Sequence, residues 1–390
     1  MPLPVMVHVA WEPRTGVWSV IKNLMRWQQN NGLAASGFFF SSDHAYIKWL
    51  KDEISYNHLD GKVFFCPDLG LSRLAELLDC RLSGQIEKIQ SEEKGNNIYL
   101  LFHDAHFSSV FFPLKKEIRA VRIAAFHGCP NGLLQNNPVK RRLHHWLGKR
   151  LVHYVDGMVS VDRFSIPVIC EKLFLDEEKM YTVYNGVPSV ANSKKNFEEF
   201  PPGTFRVGFI GALDNRKQWH LAAESSRIAW NNNSSIRFML AGDGPDREKA
   251  VRWFDSNADF ASYLGEVRSA SETVIPGLDL LILTSTNEGM PMVILEAFAC
   301  GIPVIASRVG GIPEIINDGE NGFLVDVTAD INSIASKILS IANSPELFAQ
   351  MKQHALKTYR DRFSVESCGE AYLALFRKLE GEKGHGNAGV

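Results

Sequence analysis

The chain has 390 residues, 45% of them hydrophobic, and a formal net charge of only −2. It is longer than one hydrophobic core usually supports, so two domains are expected, and the balanced charge without like-charge runs excludes a nucleic-acid arm or an acidic tail. Six scattered cysteines, with no C-x-x-C pair and no histidine at metal spacing, exclude a structural zinc site and point to a reducing compartment.

The first apolar run, Val5 to Ala10, lacks a basic leader and reads as a strand rather than a signal peptide. No apolar stretch reaches membrane-spanning length. Helical stretches then alternate with short apolar strands: a helix over Val17 to Asn31, and strands over Ala35 to Phe40, Ile98 to Phe102 and Arg122 to Phe126. This alternation predicts a parallel α/β sheet. Phe126-His127-Gly128 puts His127 at a strand end, where it is either a structural histidine or a hydrogen-bonding group for a ligand.

The helix Val139 to Tyr154 carries Leu143, Trp146, Leu147 and Leu151 among Lys140, Arg141, Arg142, Lys149 and Arg150. It reads first as a core-packed helix with a solvated basic face, and second as a contact for an anionic membrane. Ala45 to Ile54, with Tyr46, Ile47, Trp49 and Leu50, poses the same choice.

Between Pro188 and Gly203 the apolar pattern stops in a polar stretch closed by Pro201 and Pro202. The expected organisation is a first domain over 1–190, a linker over 191–203, a second domain over 204–364, a helix over 365–380 and a disordered tail over 381–390. The second half restarts the alternation with strand Phe205 to Ile210, helix Trp219 to Asn231 and strand Ile236 to Ala241. Gly211-Ala212-Leu213-Asp214-Asn215-Arg216-Lys217 then places two cations after a first strand, where a diphosphate can be neutralised without metal. Leu240-Ala241-Gly242-Asp243-Gly244-Pro245 is a glycine turn that is either a plain turn or a nucleotide contact.

The most informative segment is Asn287-Glu288-Gly289-Met290-Pro291-Met292-Val293-Ile294-Leu295-Glu296. It follows the buried strand Leu278 to Leu283 and opens a helix running to about Cys300, where Gly301 stops it. Strand, turn and helix N-terminus make an anion site, and Gly289 lets the backbone come close. Eight residues of helix would separate Glu288 and Glu296 by about 12 Å, one for the transferred sugar and one for the ribose diol. The plain alternative is two solvated helix charges.

Asn287 to Gly322, with Val309-Gly310-Gly311-Ile312-Pro313-Glu314 and Asn317-Asp318-Gly319-Glu320-Asn321-Gly322-Phe323-Leu324-Val325, closely resembles the retaining family-4 glycosyltransferases of the GT-B fold. The resemblance implies two Rossmann-like domains facing across a cleft, with a final helix carrying Tyr372, Leu375, Phe376 and Leu379 crossing back to the first. It implies a nucleotide-sugar donor, UDP-sugar favoured and GDP-sugar second, held by Gly16, Gly211, Gly289, Met290, Pro291, Met292 and Glu296, with no cofactor. His127, Glu288, Lys217 and Arg216 are the catalytic candidates, and a glycan or lipid-linked glycan is the acceptor. Three departures stand out: Ala212 where the family often has arginine, Gln218 where a glycine commonly follows the lysine, and Thr15 in place of the first glycine of a pair completed by Gly16. Arg216 is the compensating cation. No Asp-x-Asp occurs, so metal-independent transfer is expected, in a cytoplasmic protein or one peripheral to the inner membrane face. A sugar-nucleotide epimerase and a non-catalytic sugar-binding subunit are the alternatives.

Overall fold

In a computed structural model, the described residues are 4–386 except 12, 14, 42, 66–70, 93–96, 104–119, 129–137 and 191–202. The chain forms two compact units, Met1–Gly186 with Val365–Val390, and Val187–Ser364. Most of the linker expected over 191–203 thus lies outside the described residues.

Among the described residues the first unit holds seven strands: β1 (Val5–Trp11), β2 (Ala35–Ser41), β3 (Gly61–Phe65), β4 (Ile98–His103), β5 (Ala120–Phe126), β6 (Gly157–Ser160) and β7 (Met180–Thr182). They pair in the order β3-β2-β1-β4-β5-β6-β7, each neighbour parallel. Strands covered by helices on both faces must be apolar almost throughout, and β4 is buried along its whole length.

The second unit repeats the plan with β8 (Phe205–Ile210), β9 (Ile236–Ala241), β10 (Ala261–Gly265), β11 (Leu280–Leu283), β12 (Val304–Ser307) and β13 (Gly322–Val325). Its order is β10-β9-β8-β11-β12-β13, again all parallel. In each sheet the winding reverses beside the strand that comes first in the chain, between β1 and β4 and between β8 and β11. Open α/β sheets take ligands at that switch point, beyond the carboxyl ends of the strands.

The strands β8 and β9 have the boundaries expected from the apolar pattern. β11 starts two residues later than expected, because Ile275–Gly277 winds into a short 3-10 turn before it.

The final helix, Val365–Gly386, belongs to the first unit. Its Tyr372, Leu375, Phe376 and Leu379 are buried, and Phe376 stacks on Tyr99 with ring centroids 4.5 Å apart. A side chain on Gly369 would run into the Trp27 indole. The helix also corrects the expected tail, since it continues to Gly386 where disorder was expected from 381. Composition argued for disorder, but Lys383 Nζ donates to Ala120 O at 2.9 Å and pairs with Asp156 at 2.7 Å, which ties the extra turn down.

The chain enters the second unit at Val187 and leaves it at Ser364, and these two segments are bonded to each other. Val187 N donates to Phe363 O at 3.0 Å, and Tyr359 Oη donates to Val187 O at 3.2 Å.

Candidate functional site

The loop after β8 is wound tightly. Asp214 Oδ1 accepts from Lys217 N at 2.9 Å, and Gln218 follows with φ 45° and ψ 42°. That left-handed conformation explains the family's preference for glycine there; a glutamine in it costs on the order of 1 kcal/mol. The loop is laced to the one after β11 by Thr286 N to Arg216 O, 2.8 Å, and Thr284 Oγ1 to Gln218 O, 2.9 Å.

These bonds bring the cations to a carboxylate. Lys217 Nζ lies 2.5 Å from Glu288 Oε1, and Arg216 Nη1 lies 3.4 Å from the same oxygen and 3.3 Å from Asn287 O. The Lys217 and Glu288 side chains are only 12% and 9% exposed, against 39% for Arg216. Attraction between the buried pair is therefore stronger than for an ordinary surface ion pair. Arg216 and Lys217 thus approach the same carboxylate oxygen.

The helix after this turn is Met292–Ala299, and Pro291 is its N-cap with extended ψ of 118°, rather than a residue of its first turn. Ile294 N donates to Pro291 O at 3.2 Å and no side-chain hydrogen bond caps the helix, so its positive end suits an anion. The eight-residue helical separation of Glu288 and Glu296 does not hold. Glu288 stands on the turn, outside the helix, because Pro291 breaks the helical path and the two cations anchor the carboxylate; Glu296 is the fifth helical residue.

Pro291, Met290 and Met292 are buried, so their side chains pack inward. The backbone of this turn is also packed closely against a neighbouring loop. Gly310 has φ +54°, and a Cβ there would collide with Glu288 O, while Gly311 N donates to Gly289 O at 3.0 Å. Gly242 and Gly244 similarly press on Gly211 O and Leu213. Gly211 itself has room for a Cβ, and at Gly16, the exposed second residue of the helix Thr15–Asn30, a Cβ would meet nothing within 4 Å.

His127 is not solitary. Its Nε2 lies 2.9 Å from His103 Nδ1, and His103 Nε2 lies 3.0 Å from His8 Nδ1. The rings are stacked with centroids 5.2 and 5.3 Å apart. His8 Nε2 lies 3.2 Å from Gln28 Oε1 on the buried face of Thr15–Asn30. Burial pushes His8 and His127 down to about 4 and holds His103 well below its ordinary value, so all three are neutral near pH 7. Single-sequence reasoning found only His127. The other two are isolated histidines in apolar strands, and the register that joins them is a three-dimensional fact.

Residues 191–358 match the family model described as glycosyl transferases group 1. The second unit is a glycosyl transferases group 1 domain.

Relatives that match about two thirds to three quarters of the chain agree. An uncharacterized glycosyltransferase, MJ1178 of Methanocaldococcus jannaschii, is 28% identical over 68% of this chain and 71% of its own length. The O-antigen biosynthesis glycosyltransferase WbnH of Escherichia coli is 28% identical over 74% of this chain and 79% of its own. Among solved structures, Alr3699/HepE of Anabaena in complex with UDP superposes with a TM-score of 0.72 at 18% identity, covering 96% of this chain and all of that one. The protein is thus a glycosyltransferase of the GT-B fold.

Elsewhere on this glycosyltransferase, the helix Pro138–Tyr154 buries His144, Leu147 and Leu151 and exposes Arg141, Arg142, Lys149 and Trp146. Trp146, expected on the packed face, is 45% exposed, and the Arg150 guanidinium lies over it at 5.0 Å. In the helix His44–Tyr56, Ile47, Leu50 and Ile54 are buried while Trp49 lies at the surface. Among the described residues no helix is long and apolar enough to cross a membrane, and no group of three His, Cys, Asp or Glu is arranged to hold a metal ion.

Proposed function

We propose that the protein transfers a sugar, with retention of anomeric configuration, from a nucleotide diphosphate sugar to a hydroxyl of a glycan or lipid-linked glycan. UDP-sugar is the favoured donor and GDP-sugar the second, and the setting is assembly of a bacterial surface polysaccharide or lipopolysaccharide on the cytoplasmic side of the membrane. The observation that carries this reading is the meeting of Lys217, Arg216 and Glu288 beside the uncapped helix Met292–Ala299 at the second sheet's switch point. Two cations and a helix N-terminus suit a diphosphate whose negative charge grows as the anomeric C–O bond breaks. The UDP in the Anabaena structure and the O-antigen role in the name of the Escherichia coli relative support the donor base and the setting.

In this reading Lys217 and Arg216 neutralise the leaving diphosphate without a metal ion. Glu288 holds the lysine until the donor arrives and then takes hydroxyls of the transferred sugar, while Glu296 accepts hydrogen bonds from the ribose diol. Glycines 16, 211 and 289, with the backbone around Met290, Pro291 and Met292, leave room for the donor. His127, on the first unit, contacts a sugar or acceptor hydroxyl. No covalent glycosyl-enzyme forms, since no carboxylate is assigned to the face opposite the leaving group. The basic face of Pro138–Tyr154, with Trp146 exposed, supplies peripheral contact to an anionic membrane.

Calorimetric titration with UDP, GDP, ADP and their common sugar conjugates tests the reading. Selective binding that Glu296→Ala weakens by about 1 to 3 kcal/mol is expected. Binding of none of them would overturn it.

A further inference from the structure

The three histidines occupy diagonal positions on one face of the first sheet. His8, within β1, pairs in register with Leu101 of β4; two residues on, on the same face, is His103. His103 in turn pairs with Ala125 of β5, and two residues beyond that is His127. The array therefore starts inside the sheet, at the switch between β1 and β4, and climbs to the carboxyl edge. Each step is a nitrogen-to-nitrogen hydrogen bond, and each such bond uses one N–H and one lone pair.

Neutral imidazole has one ring nitrogen of each kind, so a single end group sets the direction of the whole chain. That group is Gln28, whose Oε1 accepts and so requires the proton of His8 on Nε2. His8 Nδ1 is then an acceptor, His103 donates through Nε2 and accepts through Nδ1, and His127 donates through Nε2. His127 Nδ1 is left unprotonated, shielded from solvent and without a hydrogen-bond partner, as Gln28 Nε2 is at the other end. Turning the amide over would reverse every donor and put a proton on His127 Nδ1.

We infer that Gln28, His8 and His103 are positioning residues that fix His127 as the neutral Nε2–H tautomer, so that its Nδ1 lone pair receives a hydroxyl O–H from the transferred sugar or the acceptor. The inference rests on the reading of His127 as a substrate contact. It specifies that contact's chemistry: a neutral imidazole presenting a lone pair binds a hydroxyl donor and repels a phosphate oxygen.

Histidine-selective 15N labelling of the full chain and long-range 1H–15N correlation at neutral pH read the tautomers directly, without substrate. Three Nε2–H imidazoles are expected, with the His127 signals identified from their loss in His127→Asn; an Nδ1–H tautomer or an imidazolium at His127 would overturn the inference. Gln28→Glu keeps an acceptor and the tautomer. Gln28→Met removes it, mixes the tautomers at His127 and raises one KM by about tenfold with kcat little changed. A rise in donor KM places the hydroxyl on the transferred sugar, and a rise in acceptor KM places it on the acceptor. Mixed tautomers with both KM values unchanged would refute the positioning role. Full activity in His127→Ala would instead remove the substrate contact while leaving the tautomer result standing.

Discussion

Lys217 Nζ and Glu288 Oε1 are 2.5 Å apart, joining the loop after β8 to the loop after β11. The contact is shared, since Arg216 Nη1 approaches the same oxygen at 3.4 Å. In the proposed reading an incoming diphosphate competes with a carboxylate for both cations, and the pair keeps Lys217 in place beforehand.

Replacing Lys217 with methionine should lower kcat by about a hundredfold or more, the usual effect of removing one donor to developing negative charge. Glu288→Gln should cost less. The double variant should lose much less than the two losses combined, because both act on the position of one ammonium group. Steady-state kinetics with the donor found by titration decide it, and strictly additive losses would contradict the shared role.

Arg216 is the more exposed of the two cations, and its loss should lower kcat by roughly tenfold. If it stands in for an arginine at position 212, then Ala212→Arg in the Arg216→Ala background should recover part of the rate. No recovery in a variant of unchanged melting temperature would count against the substitution.

Gly310→Ala should lower stability by about 2 kcal/mol, since it places a Cβ against Glu288 O at a φ of +54°. UDP affinity should fall with it, because the Glu288 turn must move. Thermal melts and calorimetry on one preparation test both effects, and a variant that melts and binds as the parent does would show the turn to be adaptable.

Acid should weaken the first unit before its carboxylates titrate. Burial lowers the folded-state values of His8 and His127 to about 4, whereas the unfolded imidazole takes a proton near 6.5. The unfolded chain thus binds more protons between those values. The stabilisation is complete above pH 6.5, is lost as pH falls toward 4, and is flat below that, at up to about 3 kcal/mol for His8. Denaturant unfolding between about pH 7 and 5.5 should show the loss. A stability independent of pH over that interval would mean that the array is hydrated.

The two parallel sheets were legible in the sequence because strands covered on both faces are nearly continuous apolar runs, as Phe205–Ile210 and Ile236–Ala241 are. The turn around Glu288 was legible for a related reason: strand, polar turn, glycine and proline are local signals. What escaped depends on register and on backbone angles. Gly310 has no local mark, because the carbonyl its Cβ would meet, that of Glu288, is some twenty residues away in sequence. His8 and His103 carry no local mark, and only the pairing of β1, β4 and β5 joins them to His127.

The first unit is built from both ends of the chain, with Val365–Gly386 completing a surface that includes Trp27 and Tyr99. During synthesis the second unit, contiguous from Val187 to Ser364, has its full sequence first. The first is incomplete until Val365–Gly386 has been made. A truncation just before Val365 therefore leaves the second unit's sequence whole and exposes the first to chaperones and proteases.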